Sequence, residues 1–424
     1  MQSRRHAAKR TLFDEDDPQE FDLASSPSPK PNRSDKEGFG RISNLYTAFS
    51  KDFARHALEQ CLLEGHRRIA DPFAGMGTVA EAGRGTPLTF RLNDLNPYAV
   101  LANCVRSSDA QSILDACDIL ERIARVHRDD TDRKFFARNL TRLAGAQDVD
   151  LASAVMHAGL DEFRLTAIAL FGLTTARVGL HKKLKGSNPT WTKRAEDTKF
   201  SPARIEAALK DALTSLRIYA SKLEPLHPKY SAETTCSDIG QLKARRNGLD
   251  AIVTSPPYPN RTDYIRHYLP ASELLISAIG EDERDLRQRQ IGTPLIRETL
   301  PTVALPKSVK AMLEQIRSHG SYASERYYHK GFLYYFADMR STLDRFSRWL
   351  VPGGGLLLVL QDTYYKDIHI PVADLFIDMA SDSGFKLKSR ADWRVRHALS
   401  RLSPHSRRST RNSDLKETAI YFSK

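Results

Sequence analysis

The chain has 424 residues, enough to bury a full α/β core and to carry a second module. Lys and Arg number 64 against 52 Asp and Glu, and the net charge of +12 suits a polyanionic partner, although a basic soluble protein of another kind would share it. Four widely spaced cysteines without a CxxC pair argue against a disulfide scaffold or a zinc cluster, and they fit a reducing cytoplasm. Because the sequence has no secretory apolar region and no run of about eighteen apolar residues, we expect neither export nor a membrane span.

The amino-terminal part is predicted to be a disordered tail over residues 1–38. Its charged runs, prolines and serines cannot bury enough apolar surface to offset chain entropy. Residues 39–108 are predicted to form the first part of the core. Apolar residues recur at helical spacing from Phe49 to Leu62, and Gly65 marks the end of this helix.

Strand and helix patterns then alternate. A short strand from Arg68 to Asp71 leads into a glycine-rich turn and a helix, and a second strand follows from Leu88 to Leu92. This succession predicts an α/β fold with a doubly wound, Rossmann-like, mostly parallel sheet. Residues 109–230 lack strand patterns and are rich in Arg, Lys and Asp, so we predict a largely helical insertion there.

The second part of the core is predicted over residues 231–424, with a smaller insertion at about 265–330. An apolar stripe from Phe332 to Leu350 predicts a helix that ends at the Pro352–Gly355 segment. Strand patterns occur at 233–238, 250–254, 356–361, 385–395 and 418–423. The last two are expected to pair antiparallel and to close the sheet.

Two segments near the start of the core favour a nucleoside ligand. In Asp71-Pro72-Phe73-Ala74-Gly75-Met76-Gly77-Thr78, glycines at a strand-to-helix turn allow a ligand to approach the backbone. Asp94 follows the second strand, where a carboxylate can accept hydrogen bonds from both ribose hydroxyls. Either feature alone also occurs in turns that bind nothing. Because no G-x-G-x-x-G accompanies them, a cofactor without a pyrophosphate fits better.

The third segment, Ser255-Pro256-Pro257-Tyr258, directly follows a buried apolar run. Proline cannot continue a central strand, so the chain must turn out at the carboxyl end of the strand, where open α/β sheets bind ligands. The rigid backbone would present a hydroxyl and a carbonyl beside an aromatic ring. Such an arrangement suits a planar ring that bears an amino group.

Together these segments resemble the amino-group DNA methyltransferases that modify cytosine N4 or adenine N6, most clearly over residues 69–105 and 250–268. The resemblance implies S-adenosyl-L-methionine as the cofactor. It implies these cofactor-binding residues: Asp71, Pro72, Phe73, Gly75, Gly77, Thr78, Asp94, Asn96 and Asp238. It assigns catalysis to Ser255, Pro256, Pro257 and Tyr258, which would hold a base flipped out of the duplex.

The chemistry implied by this resemblance needs no metal ion and no cysteine. Hydrogen bonds from the amino group to the Ser255 hydroxyl and the Pro256 carbonyl would leave its nitrogen with a freer lone pair. Family members with Ser first in the loop mostly methylate cytosine N4, so Ser255 favours cytosine over adenine. The implied setting is a bacterial restriction-modification or defence system with double-stranded DNA as the partner, and a restriction or defence component as a possible second one. The insertion at 109–230 would then be a target-recognition region.

Basic residues predict the nucleic-acid contacts. The predicted contact residues are Arg261, Tyr264, Arg266, Arg396, Arg401, Arg407 and Arg408. The first three follow the catalytic loop, and the others lie in an acid-free stretch that suits phosphates. Alternatively, both sets of residues are simply charged side chains exposed to solvent.

Three other functions were weighed. An RNA amino methyltransferase shares the first two motifs, but it usually carries Asp-Pro-Pro-Tyr and an amino-terminal RNA-binding domain. A non-catalytic DNA-binding subunit would be expected to lose its glycines or its catalytic loop, and both are intact here. A protein-glutamine methyltransferase would be expected to show Asn-Pro-Pro-Tyr, so Ser255 counts against it.

Overall fold

The computed structural model describes residues 21–43, 50–127, 130–181, 200–259, 262–395 and 415–424. The strands are β1 (Arg68–Asp71), β2 (Thr89–Asp94), β3 (Ser231–Cys236), β4 (Leu249–Thr254), β5 (Leu350–Gln361), β6 (Thr363–Tyr365), β7 (Ile368–Ile370), β8 (Lys386–Arg394) and β9 (Lys416–Ser423). The helices are α1 (Arg33–Glu37), α2 (Lys51–Leu63), α3 (Thr78–Ala82), α4 (Pro97–Ser107), α5 (Ala110–Ile123), α6 (Asp132–Ala146), α7 (Leu151–Met156), α8 (Asp161–Leu180), α9 (Pro202–Ala220), α10 (Tyr264–His267), α11 (Leu269–Ala278), α12 (Glu283–Arg289), α13 (Lys307–Ser318), α14 (Lys330–Trp349) and α15 (Val372–Asp382).

A seven-stranded sheet organises the molecule in the order β3-β2-β1-β4-β5-β9-β8. The first five strands run parallel, and β9 is antiparallel to both of its neighbours. The predicted doubly wound, Rossmann-like sheet and its one antiparallel strand near the carboxyl terminus are therefore confirmed. Because β1, β2 and β4 are parallel, their carboxyl ends meet at one edge of the sheet, and the three sequence motifs follow directly from these ends.

Both faces of the sheet are covered. In β5, Leu356, Leu358 and Leu360 lie in one apolar cluster with α14 and α15. Leu357 and Val359 alternate with them and lie in a second cluster with α2 and α3. This alternation explains the continuous apolar run of a strand that is buried on both sides.

The helical insertion shares one apolar cluster with α4 and α11. Helices α5 to α9 follow one another between β2 and β3, as predicted, and α8 packs against α4, α5, α6 and α9. By length and composition α8 could cross a membrane, but 72% of its apolar window is buried inside the protein. We therefore interpret α8 as the central core helix of the insertion.

The prediction of a disordered tail over residues 1–38 was wrong for its second half. Phe21 and Leu23 are buried and belong to the same cluster as α2 and α3. The Phe21 ring stacks on Tyr421 of β9 with 3.8 Å between ring centroids, and the Leu23 N–H donates to Ser389 Oγ. Two apolar side chains hold this segment although its composition is polar. Residues 1–20 lie outside the described residues.

The boundary between α14 and β5 also differs from the prediction. The helix ends at Trp349, and the strand begins at Leu350 rather than after the Pro352–Gly355 segment. Leu249 pairs with Leu350 and Ala251 pairs with Gly355, so the register shifts between these two pairs. Gly353, with a φ of 75°, lies in this irregular stretch. The glycines therefore bend a strand instead of forming a separate turn.

Candidate active site

The turn between β1 and α3 depends on two glycines. Gly75 and Gly77 have φ angles of 49° and 85°, a region that other residues enter at a cost. A Cβ atom on Gly77 would lie 3.1 Å from the Cα atom of Asn103 in α4. The Asn103 side chain donates from Nδ2 to the Gly75 carbonyl at 2.7 Å. The glycines therefore let α4 approach the turn closely, and Asn103 fixes the backbone of the turn.

Asp94 connects the glycine turn to the end of β2. Its Oδ2 accepts a hydrogen bond from the Gly75 N–H and its Oδ1 accepts one from the Asn96 N–H, both at 2.8 Å. Burial raises the pKa of Asp94 to about 6, against the opposing effect of these backbone donors. Each carboxylate oxygen keeps a second lone pair, so Asp94 can still accept hydrogen bonds from a ligand. Asn96 caps α4 through the Tyr98 N–H.

The Asp71 carboxyl group holds the start of this turn through hydrogen bonds. Its Oδ1 accepts hydrogen bonds from the Thr254 hydroxyl at 2.6 Å and from the Phe73 N–H at 3.3 Å. Burial raises the pKa of the Asp71 carboxyl to about 7. Asp71 therefore links the end of β1 to the end of β4, where the Ser255–Tyr258 loop begins.

The Ser255–Tyr258 loop leaves the sheet at the end of β4. Ser255 Oγ lies 3.2 Å from the Val359 carbonyl of β5 and 3.3 Å from the Tyr258 hydroxyl. The Tyr258 N–H donates to the hydroxyl of Tyr264 at 3.2 Å. Burial and the negative charge of Glu417 raise the pKa of Tyr258, so its phenol stays protonated. The loop thus has a serine hydroxyl held between two elements and a half-buried aromatic ring beside it.

A cavity at this sheet edge brings the motifs together. The predicted residues that line it are Pro72, Phe73, Gly75, Asp94, Asn96, Asp238, Ser255, Pro256, Pro257, Tyr258 and Tyr264. Asp71, Gly77 and Thr78 were also predicted to bind the cofactor, but they lie outside this lining. Asp71 instead accepts a hydrogen bond from the Thr254 hydroxyl, and Gly77 leaves room for α4. Thr78 Oγ1 accepts a hydrogen bond from Arg106.

Gln290 is a residue of the site that the sequence reasoning missed. Its Oε1 accepts a hydrogen bond from the Tyr264 N–H at 3.0 Å, and its Nε2 donates to the Thr262 carbonyl at 2.8 Å. The neighbouring Ile291 also lines the cavity. The second insertion therefore forms one wall of the cavity and contacts the Ser255–Tyr258 loop through Tyr264. No local pattern in the sequence indicates this contact, because Gln290 lies 26 residues after Tyr264.

A buried ionic cluster behind the glycine turn was also missed. Arg106 of α4 donates to the Met76 carbonyl at 3.0 Å and pairs through its Nε with Glu81 of α3. The Tyr219 hydroxyl of α9 donates to the same Glu81 carboxylate at 2.8 Å. Lys51 Nζ lies 3.2 Å from Glu81 Oε1. Burial alone would raise the pKa of Glu81, but the charges of Arg106 and Lys51 hold it at about 2. The insertion is thereby joined to this ionic cluster through the Tyr219 hydroxyl.

The predicted nucleic-acid contacts are only partly described. Arg261, Arg396, Arg401, Arg407 and Arg408 lie outside the described residues. Tyr264 lines the cavity, and its hydroxyl accepts a hydrogen bond from the Tyr258 N–H. Arg266 Nε lies 3.4 Å from Glu283 of α12. In the parts of the chain that the structure describes, no group of three or more His, Cys, Asp or Glu side chains could hold a metal ion.

Comparisons with known proteins give one informative similarity. No family model matches the chain. The chain is 29% identical over 169 residues to the Type II methyltransferase M.BsoBI of Geobacillus stearothermophilus. The match covers 34% of this chain and 33% of the relative, so the chain spans about a third of the length of the protein it matches.

Proposed function

We propose that this chain is an S-adenosylmethionine-dependent DNA methyltransferase that methylates the exocyclic amino group of a flipped base, with cytosine N4 as the favoured target. The observation that carries the proposal is the single cavity that joins the glycine turn, Asp94 and the Ser255–Tyr258 loop. Similarity to a Type II methyltransferase supports the same reaction class.

The residues that line the cavity suit S-adenosylmethionine in their chemistry. The Asp94 carboxylate is positioned by backbone donors and offers free lone pairs for the two ribose hydroxyls. Phe73, Ile239 and Ile291 provide apolar walls for a purine ring, and Asp238 lies beside them. When bound, the cofactor supplies an electrophilic methyl group. No phosphate has to be accommodated, in keeping with the short glycine turn.

The catalytic loop is expected to hold the target base. The Ser255 hydroxyl and the Pro256 carbonyl would accept the two hydrogen bonds of the amino group and orient its nitrogen. The Tyr258 ring would stack on the base, which must leave the duplex to reach a site at this depth. Asp71 holds Thr254 at the start of the loop, and Tyr264, which Gln290 holds in turn, accepts a hydrogen bond from the Tyr258 N–H. These contacts support a preorganised loop, so positioning should supply much of the rate enhancement.

The choice of target base, the nucleic-acid partner and the cellular setting belong to the same proposal. Ser255, as the first residue of the loop, favours cytosine N4 over adenine N6. Double-stranded DNA is the proposed partner, and the net charge of +12 suits it. We further propose that the helical insertion contributes to target recognition. The proposed setting is restriction-modification or defence in a bacterial cytoplasm, with no resident metal ion.

The test is methyl transfer from labelled S-adenosylmethionine to duplex DNA, with total tRNA as the comparison substrate. The modified nucleic acid is digested to nucleosides and analysed by mass spectrometry. N4-methylcytosine in DNA is the expected product. N6-methyladenine would keep the reaction and overturn the choice of base, and label confined to tRNA would overturn DNA as the substrate. Cofactor binding without any transfer would point to a non-catalytic subunit.

A further inference from the structure

A segment of the second insertion lies against the chain that follows the Ser255–Tyr258 loop. The Gln290 side chain in this segment is buried, with only 5% of the residue exposed. Its Oε1 accepts hydrogen bonds from the N–H groups of Tyr264 and Ile265 at 3.0 and 3.4 Å, and its Nε2 donates to the Thr262 carbonyl at 2.8 Å. One buried amide group therefore fixes the backbone of the stretch that follows the loop.

Gly292 brings the same segment close to the last residue of the loop. Its φ is 73°, and a Cβ atom at this position would lie 3.0 Å from the Tyr258 carbonyl oxygen, so a side chain here would press on the loop. The Tyr258 N–H donates to the Tyr264 hydroxyl, and Gln290 holds Tyr264 in turn. The insertion therefore meets Tyr258 directly on its carbonyl side and through Tyr264 on its N–H side.

The segment is itself held by the core of the protein. Arg297 donates from Nε to the Gln288 carbonyl at 3.0 Å and from Nη2 to the Gln290 carbonyl at 3.4 Å. Its Nη1 donates to Asp338 of α14 at 2.9 Å, and the Tyr334 hydroxyl of the same helix donates to the Arg297 carbonyl at 2.6 Å. Because α14 packs against the sheet, the core sets the position of the segment.

We propose that Gln290 and Gly292 are positioning residues that hold the Ser255–Tyr258 loop in the geometry needed for methyl transfer. This assignment rests on the proposed function, and it gives the second insertion a role in the reaction. Transfer requires the amino nitrogen of the base to lie in line with the methyl group of the cofactor, so a displaced loop costs rate even when the ligands still bind. Changes at these two residues should therefore lower kcat while the dissociation constant of the cofactor stays the same.

The first test compares the same substitution at two glutamines. Gln290→Met keeps a side chain of similar length but removes its hydrogen bonds to the chain after the loop, so kcat on duplex DNA should fall about 10- to 100-fold. Gln288 lies two residues earlier and lines a neighbouring groove instead of the cavity. Gln288→Met should therefore leave kcat unchanged.

The second test separates contact with the loop from backbone strain. Gly292 and Gly280 have φ angles of 73° and 72°, so alanine is strained to a similar degree at both positions. A Cβ atom at Gly280 would meet nothing within 4 Å, whereas one at Gly292 would meet the Tyr258 carbonyl. We expect both alanine variants to lose melting temperature, but only Gly292→Ala to lose kcat, again by about 10- to 100-fold.

All four variants and the wild type are assayed as full-length chains with labelled S-adenosylmethionine on a long unmethylated duplex DNA. Titration calorimetry with S-adenosylmethionine serves as the folding control. Unchanged kcat in Gln290→Met or Gly292→Ala, an equal loss in the matched control, or a loss that only follows weaker cofactor binding would overturn the positioning role and leave the proposed function standing. A wild type that binds the cofactor but methylates no DNA would overturn the proposed function, and this assignment with it.

Discussion

Tyr258 has two separable contributions in the proposed site, one from its ring and one from its hydroxyl group. The ring lines the cavity, whereas the hydroxyl lies 3.3 Å from Ser255 Oγ. Tyr258→Ala removes both, so we expect turnover to be abolished while the dissociation constant of the cofactor stays the same. Tyr258→Phe keeps the ring, and because Ser255 retains the Val359 carbonyl, turnover should fall less than about tenfold. Turnover by Tyr258→Ala equal to wild type would contradict the stacking role.

Asp71 makes the stability of the protein depend on pH. Its folded-state pKa of about 7 lies above its unfolded value, so the folded chain holds a proton that the unfolded chain has lost. Stability should therefore fall as pH rises from about 4 to 7, at most by about 4 kcal/mol from this group. Asp71→Asn keeps an acceptor for Thr254 and cannot ionise. We expect its melting temperature to exceed that of the wild type above pH 7 and to match it near pH 4.

A control strengthens this test of Asp71. Asp22 is fully accessible, and its pKa is lowered by the backbone N–H of Ala24. Asp22→Asn removes a carboxylate without relieving any burial, so it should give no gain in melting temperature above pH 7. Equal behaviour of the two variants would contradict the assignment of the pH dependence to Asp71.

At the level of elements, the sequence predicted those features that depend on local patterns. The strand at Arg68–Asp71 was predicted within its observed bounds, because an apolar run and a glycine turn delimit it. The predicted mostly parallel sheet brings the carboxyl ends of β1, β2 and β4, and the motifs that follow them, to the same edge. Phe73, Asp94 and the Ser255–Tyr258 loop follow these ends and line one cavity, together with Asp238, which follows the parallel strand β3.

The features that escaped prediction are set by distant parts of the chain. Leu23 is buried in the apolar cluster that includes α2 and α3, and its N–H donates to Ser389 of β8, contacts that no local pattern specifies. Gln290 supports Tyr264 through a fold of the second insertion that no local pattern specifies. Glu81 and Arg106 appear in the sequence as ordinary helical charges. Only the packing of α3 against α4 buries them as a pair.

The contact between the insertion and the core can be tested with a matched pair of tyrosines. Tyr219 of α9 donates to the carboxylate of Glu81, whereas Tyr230 donates to the neutral carbonyl of Ala80, the preceding residue in α3. A hydrogen bond to a buried charge contributes about 1.5 to 3 kcal/mol and a neutral one about 1 kcal/mol. In urea unfolding, Tyr219→Phe should therefore lose more free energy than Tyr230→Phe. Equal losses of unfolding free energy in the two variants would mean that the charged Glu81 carboxylate does not need the hydrogen bond from α9.

At the scale of the whole molecule, the net charge of +12 predicts that DNA affinity depends steeply on salt, since each phosphate contact releases counterions. Arg407 and Arg408 are predicted contacts outside the described residues. Their double replacement by Gln should reduce the slope of log affinity against log salt by about 2. Arg217 is the control, because its guanidinium already pairs with Asp118 and Glu121. Arg217→Gln should leave the slope unchanged, and an equal change in both proteins would mean that overall charge, not a localised contact, sets the affinity.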